Sequence, residues 1–279
     1  MSSRFVAGFR IEDALSASEL LGRQGLAITL DALGENISRP AQARQSAQIY
    51  HWLLDSLAEK KLDANVSLKL TQMGMDLSPD LALEIVSSLV DHAVKANSFV
   101  RVDMEGTSYT QATIDLVRRL HSEPENRGHV GIVIQAYLRR SAQDISALLA
   151  DGIRIRLCKG AYKEPPDLAF PAKKDVDENF VVLMKMLLKS GVFHGIATHD
   201  EAMIQATKDF TRAEKIDPST FEFQMLYGIR RDLQRKLIDE GYRVRVYVPF
   251  GDEWYPYFMR RLAERPANIL FLAKNFFRK

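Results

Sequence analysis

The chain has 279 residues, of which 46% are hydrophobic and 27% are charged. This composition supplies an apolar core and a solvated surface, which excludes a disordered or fibrous protein. The 38 basic and 36 acidic residues leave a net charge of +2, and because the basic residues are scattered, the sequence predicts no nucleic-acid partner. The length fits either two domains of about 150 residues or one α/β barrel of about 250 residues.

The lengths of the apolar runs and the cysteine content predict the compartment. Every apolar run is shorter than the roughly 18 to 20 residues of a membrane-spanning helix, and the first residues lack the apolar core of a signal peptide. The single cysteine, Cys158, allows no disulfide within the chain, which fits a reducing environment. We therefore expect a cytoplasmic protein that at most binds peripherally to the inner face of the membrane, without entering it.

Short apolar or β-branched runs alternate with amphipathic stretches along the whole chain, with no linker between them. The predicted strands are 25–30, 66–70, 99–103, 130–135, 153–158, 192–197, 220–224 and 243–248. The predicted helices are 41–59, 79–96, 109–120, 142–150, 175–190, 200–212, 230–240 and 256–264. This alternation predicts an α/β fold, a single (β/α)8 TIM-like barrel over residues 1–279. An open doubly wound sheet is the alternative, but no glycine-rich dinucleotide turn or phosphate loop follows the first strand.

Polar residues lie at or just after the end of each predicted strand, and in a parallel barrel the chemistry gathers at these carboxyl ends. Any one of them is typical of a cap or a turn, but the uniform set predicts a site. The set comprises Asp31, Glu35, Lys69, Thr71, Gln72, Asp103, Glu105, Gln135, Arg156, Lys159, Thr198, His199, Asp200, Gln224 and Tyr247.

Three of these strand ends suggest particular chemistry. Lys69 lies within an apolar run, so it needs a carboxylate, which Asp103 or Glu105 could supply. Gly160 allows the backbone to approach a ligand closely, and the neighbouring Lys159 offers either a positive charge for a cofactor or a Schiff-base amine. His199 is interpreted as a hydrogen-bonding partner or a helix-start residue, because the histidine spacing matches no metal motif and the sequence predicts no metal site.

The segment 247–264 is dense in aromatic and charged residues. Pro256 suits the first turn of a helix, and Tyr257, Arg260 or Arg261, and Glu264 then recur on one helical face. One interpretation is a solvated face with salt bridges. The other is a carboxylate clamp, in which arginines bind a carboxylate in bidentate fashion while Tyr247 and Tyr257 cover an apolar ring. The clamp predicts a pocket for a small amino or imino acid.

Several of these motifs together resemble proline dehydrogenase of the monofunctional bacterial type. The resemblance runs through residues 67–72, 101–105, 135–137, 156–162, 197–200, 221–224 and 247–264. It implies a distorted barrel that binds FAD non-covalently and oxidises L-proline to Δ1-pyrroline-5-carboxylate by hydride transfer to the flavin N5. It also implies a quinone as the electron acceptor and Δ1-pyrroline-5-carboxylate dehydrogenase as a downstream partner in proline catabolism. Such chemistry needs no protein nucleophile, because the flavin accepts the electrons.

The resemblance also implies a role for each matching residue. Asp103, Arg156 and Tyr247 correspond to residues of catalytic importance, with Arg156 near the flavin N5. The implied substrate-binding residues are Lys69, Tyr162, Tyr247, Tyr257, Arg260, Arg261 and Glu264. The implied cofactor-binding residues are Met104, Gln135, Arg156, Lys159, Gly160, Ala161, Thr198, His199 and Gln224. The alternatives are a Schiff-base lyase that uses Lys159 and a non-catalytic barrel that binds an amino acid.

Overall fold

The computed structural model describes residues 5–34, 37–255, 257 and 259. Its strands form a closed parallel barrel in chain order, in which the first strand also pairs with the last. The strands are β1 (Ala27–Ala32), β2 (Ala64–Leu68), β3 (Val100–Val102), β4 (Val130–Gln135), β5 (Arg154–Cys158), β6 (His194–Ala197), β7 (Phe221–Leu226) and β8 (Val244–Phe250). Each predicted strand overlaps the observed one with ends that differ by no more than two residues. The predicted TIM-like barrel is confirmed.

The helices pack around this barrel. They are α1 (Ile11–Gly22), α2 (Pro40–Glu59), α3 (Pro79–Lys95), α4 (Thr107–Ser122), α5 (Ser141–Ala150), α6 (Lys173–Lys189), α7 (Glu201–Ala213) and α8 (Arg231–Asp239). Helix α1 precedes β1 and was not predicted, whereas α2 to α8 are the predicted connections between strands. Of the predicted helix 256–264 the structure describes only residues 257 and 259. None of the helices in the described part of the chain is long and apolar enough to cross a membrane.

Capping residues mark where helices begin after the strand ends. Helix α3 begins at Pro79, where the missing N–H costs nothing, and the Ser78 side chain accepts a hydrogen bond from the N–H of Leu81. Helix α7 begins after Asp200, whose carboxylate accepts from the N–H of Ala202 at 3.0 Å. These caps fix the turns that leave the carboxyl ends of β2 and β6, where the predicted site residues lie.

The two faces of the strands differ in chemistry. Residues that alternate outward, such as Ile28, Leu30 and Val66, are apolar and form one core with the helices. The inner face carries polar side chains. They form hydrogen bonds between strands that are not neighbours, as from Arg156 on β5 to Ser67 on β2. Burying charge inside the barrel costs free energy unless each charge is paired, so the interior must be a hydrogen-bonded network.

One buried histidine makes the barrel sensitive to acid. His194 on β6 accepts a hydrogen bond at Nδ1 from the N–H of Ile155 at 3.0 Å. Burial, reinforced by the nearby Arg101, lowers its pKa to about 3. Because the unfolded pKa is about 6.5, the unfolded chain takes up this proton first, and stability is lost as the pH falls from about 6.5 towards 3.

We expect His194→Asn to reduce this acid sensitivity, because the Asn side-chain oxygen keeps an acceptor near the Nδ1 position without a group that titrates. The free energy of unfolding of the native chain should fall by about 3 kcal/mol more than that of the variant between about pH 7 and pH 4. Urea denaturation at the two pH values measures both. Equal losses in the two proteins would contradict the assignment.

Candidate functional site

A continuous series of hydrogen-bonded side chains runs through the barrel interior, from the amino ends of β7 and β8 to the carboxyl ends of β1 and β2. We call it the interior chain; its members, in order of contact, are Arg245, Glu222, Gln224, Arg156, Asp103, Tyr247, Asp31 and Lys69. Six of these residues are buried, while Asp103 and Tyr247 are only half-buried. The interior chain is therefore open to a ligand at Asp103 and Tyr247.

Arg156 on β5 and Asp103 just after β3, two of the three residues predicted to be catalytic, form an ion pair inside the barrel. Nη1 of Arg156 donates to Oδ1 of Asp103 at 2.9 Å and to Oγ of Ser67 at 3.1 Å. The Ser67 hydroxyl in turn donates to Oδ1 of Asp103 at 2.6 Å. The Arg156 guanidinium also lies 5.3 Å from the centroid of the Tyr247 ring. The three predicted catalytic side chains thus meet in one place.

Gln224 holds Arg156 from the other side. Its Oε1 accepts from Nε of Arg156 at 2.5 Å, and its Nε2 donates to Oε1 of Glu222 at 2.6 Å. Gly195 makes room for this amide, since a Cβ there would lie 2.4 Å from Nε2 of Gln224. The prediction that Gln224 contacts a cofactor stays a prediction, and its observed contacts give it a role in orienting Arg156.

Glu222 anchors this side of the interior chain as a carboxylate. Burial would raise its pKa, but Arg245 at 2.6 Å and Arg243 at 2.9 Å outweigh burial and lower the pKa to about 2. Glu222 is therefore ionised at neutral pH, where its carboxylate accepts from Gln224.

Lys69 is buried, as its position in an apolar run predicts, and it faces Asp31 of β1. Its Nζ lies 3.4 Å from Oδ2 of Asp31. The candidates for this role from the sequence were Asp103 and Glu105, but Glu105 instead accepts from the N–H and hydroxyl of Thr71 at 3.1 and 2.6 Å. Asp31 was missed because it belongs to the neighbouring strand of the closed barrel, 38 residues away in the chain.

The predicted aromatic pair also comes together. Tyr257 is 5% exposed and packs against Val6 and Leu33, in a cluster that Tyr247 joins from β8. Tyr162 packs in a separate cluster with Tyr137, on the loop between β5 and α6. Three members of the predicted carboxylate clamp, Arg260, Arg261 and Glu264, lie outside the described residues, as does Glu35.

Gln135 and Gly160 lie at the carboxyl ends of β4 and β5. Nε2 of Gln135 donates to the carbonyls of Met104 and Glu105 at 3.1 and 3.0 Å, and its buried Oε1 has no hydrogen-bond partner among the described residues. Gly160 has a φ of +117°, and a Cβ there would lie 2.2 Å from the Tyr137 ring, so only glycine fits. A ligand with a hydrogen-bond donor would satisfy the Gln135 acceptor.

Lys159 lies among charged partners at the next strand end. It forms ion pairs with Asp177 and Asp200, and Lys173 pairs with the same two carboxylates. Lys159 is thus held between two carboxylates, whereas a Schiff base requires an amine that is placed to attack the carbonyl carbon of a substrate. The geometry therefore disfavours the lyase alternative.

Thr198 and His199 directly follow β6 at this edge, and Ala161, after β5, is exposed. Nε2 of His199 accepts from the N–H of Leu226 at 2.9 Å, which confirms the interpretation of His199 as a hydrogen-bonding partner. The Thr198 hydroxyl accepts from the N–H of Asp200 at 3.1 Å. Within the described ranges, no group of three or more His, Cys, Asp or Glu side chains is arranged to hold a metal ion.

A closed parallel barrel with paired charges opening at its strand ends is the architecture of an α/β-barrel enzyme that acts on a small molecule. Comparison with known proteins identifies the family. The family model for proline dehydrogenase matches residues 14–274. The chain therefore belongs to the proline dehydrogenase family, and it is an oxidoreductase acting on proline.

Individual relatives agree with this membership. The chain is 44% identical to proline dehydrogenase 1 of Bacillus subtilis over 276 residues, which cover 99% of this chain and 90% of the relative. It is 42% identical to the proline dehydrogenase of Deinococcus radiodurans, over 98% of this chain and 89% of the relative. Among solved structures, proline utilization A from Bdellovibrio bacteriovorus, inactivated by N-propargylglycine, superposes with a TM-score of 0.88 at 26% identity. The match covers 94% of this chain and 32% of that longer one.

The role of Gln224 in holding Arg156 can be tested with Gln224→Met, which has a similar volume but neither accepts from Arg156 nor donates to Glu222. We expect kcat for proline oxidation to fall by about tenfold or more, because an interaction with a charged partner is worth about 1.5 to 3 kcal/mol. Steady-state kinetics measure the effect, and Gln205→Met on the exposed face of α7 serves as the control. An unchanged kcat would show that Arg156 is oriented without Gln224.

Proposed function

We propose that this proline dehydrogenase oxidises L-proline to Δ1-pyrroline-5-carboxylate with FAD bound non-covalently over the carboxyl ends of the strands. The observation that carries the proposal is the convergence of Lys69, Asp103, Arg156 and Tyr247 on one opening of the barrel. These side chains supply cations for a carboxylate, a negative charge and an aromatic face within one interior chain.

The residues beside this opening fit a flavin. The unpartnered acceptor of Gln135 suits a donor of the cofactor, and Gly160 offers a backbone without a side chain. The residues that would hold FAD are Met104, Gln135, Arg156, Lys159, Gly160, Ala161, Thr198, His199 and Gln224. When bound, FAD supplies the acceptor for the hydride of proline. This hydride leaves the ring carbon that is bonded to the nitrogen and does not carry the carboxylate.

The remaining work falls to the side chains of this chain. Lys69 attracts the proline carboxylate, together with Arg260 and Arg261, while Tyr247 and Tyr257 cover the pyrrolidine ring. Loss of a hydride from the neutral amine form of proline leaves an iminium, whose positive charge the carboxylate of Asp103 stabilises, and release of the N–H proton to solvent gives the neutral imine product. The buried partners of Asp103 and Arg156 hold both groups in place before the substrate arrives.

The proposal includes two partners and a location. A quinone takes the electrons, and a Δ1-pyrroline-5-carboxylate dehydrogenase uses the product, as in the family's chemistry. We propose that the protein is cytoplasmic and meets its quinone at the inner face of the membrane. Proline-dependent reduction of a water-soluble quinone would support the first of these partners.

The first test of the proposal is a spectroscopic titration. The purified chain reconstituted with FAD should lose its visible flavin absorbance when L-proline is added without oxygen, because the substrate's electrons enter the flavin. Cyclopentanecarboxylate is the matched control, since it carries the carboxylate and the ring but no nitrogen to form an imine. Absorbance that persists with L-proline would overturn the proposal.

The role of Lys69 is tested by Lys69→Met, which keeps the volume of the side chain and removes the charge. We expect KM for proline to rise by about 30-fold or more, because removing one partner of a buried charge pair costs about 2 to 5 kcal/mol. Lys208→Met is the matched control, as Lys208 is also a buried lysine paired with a carboxylate, Glu240, but lies on α7 outside the barrel. A KM that changes equally in both variants would assign the effect to stability rather than binding.

A further inference from the structure

The hydrogen bonds around the Tyr247 hydroxyl require one hydrogen more than that hydroxyl carries. The Tyr247 hydroxyl lies 2.6 Å from Oδ2 of Asp31 and 2.9 Å from Oδ2 of Asp103. A hydroxyl carries one hydrogen, so it donates to only one of these oxygens. If both carboxylates were ionised, a lone pair of the hydroxyl would face an anionic oxygen at hydrogen-bond distance. The geometry requires one more proton, carried by one of the two carboxyl groups.

The contacts of Asp103 favour its ionised form. Its Oδ1 accepts from the Ser67 hydroxyl at 2.6 Å and from Arg156 at 2.9 Å. One charged and one neutral donor at these distances stabilise a carboxylate. The side chain of Asp103 is also 14% exposed, so that water reaches it. Asp103 is therefore the acceptor of the pair.

The contacts of Asp31 are longer and its burial is complete. Its side chain is 0% exposed, its cationic neighbour Lys69 lies at 3.4 Å, and the Tyr50 hydroxyl lies 3.3 Å from its Oδ1. That hydroxyl has two other acceptors within reach, the carbonyl of Ala32 and Oε1 of Gln72. These contacts compensate a buried negative charge less well than those of Asp103 do.

We propose that Asp31 is protonated in the resting enzyme and donates to the oxygen of Tyr247, which in turn donates to Asp103. Asp31 is then a positioning residue, which acts through Tyr247 and Lys69. Among the described residues, the titratable and charged groups that face it are Tyr50 from α2, Lys69 just after β2, Asp103 just after β3 and Tyr247 from β8. Burial and the charge of Asp103 raise its pKa, and Lys69 opposes them without reversing the shift.

This proton has two consequences for the site. It fixes the direction of the hydrogen bond from Tyr247 to Asp103, and so holds the aromatic ring beside Arg156. It also means that Asp31 places no negative charge beside Lys69, whose ammonium group the proposed function assigns to the carboxylate of proline. The second consequence rests on the proposed function, whereas the protonation itself does not.

Protonation is tested directly by infrared spectroscopy of the native chain. At about pH 7.5, well above the ordinary carboxyl range, a protonated acid gives a carbonyl band that moves when the aspartates carry carbon-13. We expect such a band in the native chain and its loss in Asp31→Asn. Its absence from the native spectrum would overturn the proposal, even if the variant failed to fold.

Stability measurements give a second readout without substrate or cofactor. A raised pKa means that the folded chain keeps a proton that the unfolded chain releases, so stability falls as the pH rises above the ordinary pKa of 3.8. Asp31→Asn resembles the neutral acid and lacks this loss. Its unfolding midpoint should therefore rise relative to the native chain between about pH 4 and pH 7. A relative fall would overturn the proposal.

Asp144→Asn is the matched control for this comparison. Asp144 is likewise a buried carboxylate, but it accepts from Nε and Nη2 of Arg140 at 2.8 and 2.9 Å on α5. Loss of this ion pair should lower the midpoint at both pH values. A control that behaved like Asp31→Asn would show that the gain does not come from a protonated acid.

Ligand binding separates this inference from the proposed function. Affinity for cyclopentanecarboxylate, measured by calorimetry, should fall in the native chain as rising pH ionises Asp31, because a negative charge then lies beside Lys69. The affinity should fall less in Asp31→Asn. An equal fall in both proteins, with the infrared band present, would remove the link to ligand binding while the protonation stands. A failure of proline to bleach the flavin would contradict only the proposed function.

Discussion

Pairing of buried charge is the constraint on which this molecule depends. A closed barrel needs a filled interior, and here the inner face is filled by arginines, a lysine and carboxylates rather than by apolar side chains alone. Each ion buried alone would cost several kcal/mol, so buried charges pair with one another inside the barrel. Arg156 meets Asp103 at 2.9 Å, and Glu222 meets Arg245 at 2.6 Å. The interior chain links such pairs from one side of the barrel to the other.

This constraint explains how the site is held ready for its substrate. Proline oxidation needs a positioned ring, a bound carboxylate and favourable charge rather than a protein nucleophile. The same hydrogen bonds that neutralise buried charge also fix the orientation of Arg156, Asp103 and Tyr247. Outward-facing apolar residues of the strands pack against the helices and make this arrangement rigid. The same interactions therefore stabilise the barrel and preorganise the site.

The periodic features of the fold were predictable from the sequence because they are local. Strand and helix patterns gave boundaries to within two residues, and the capped turn at Asp200 follows from its residue type. Helix α1 was missed, since it precedes the first strand and has no place in a simple alternation. The partner of Lys69 was missed as well. Neighbours in the barrel can be distant in the chain, and no local pattern connects Lys69 with Asp31.

By itself, the sequence determined the barrel, the polar residues at its strand ends and the family to which the chain is similar. These depend on residue type and spacing, which a linear sequence contains. Only the tertiary structure decided which side chains touch: that Gln224 orients Arg156, and that Tyr247 lies between two carboxylates with one proton of its own. Hydrogen bonds form over about 3 Å, and only closure of the barrel brings the ends of separate strands within that distance.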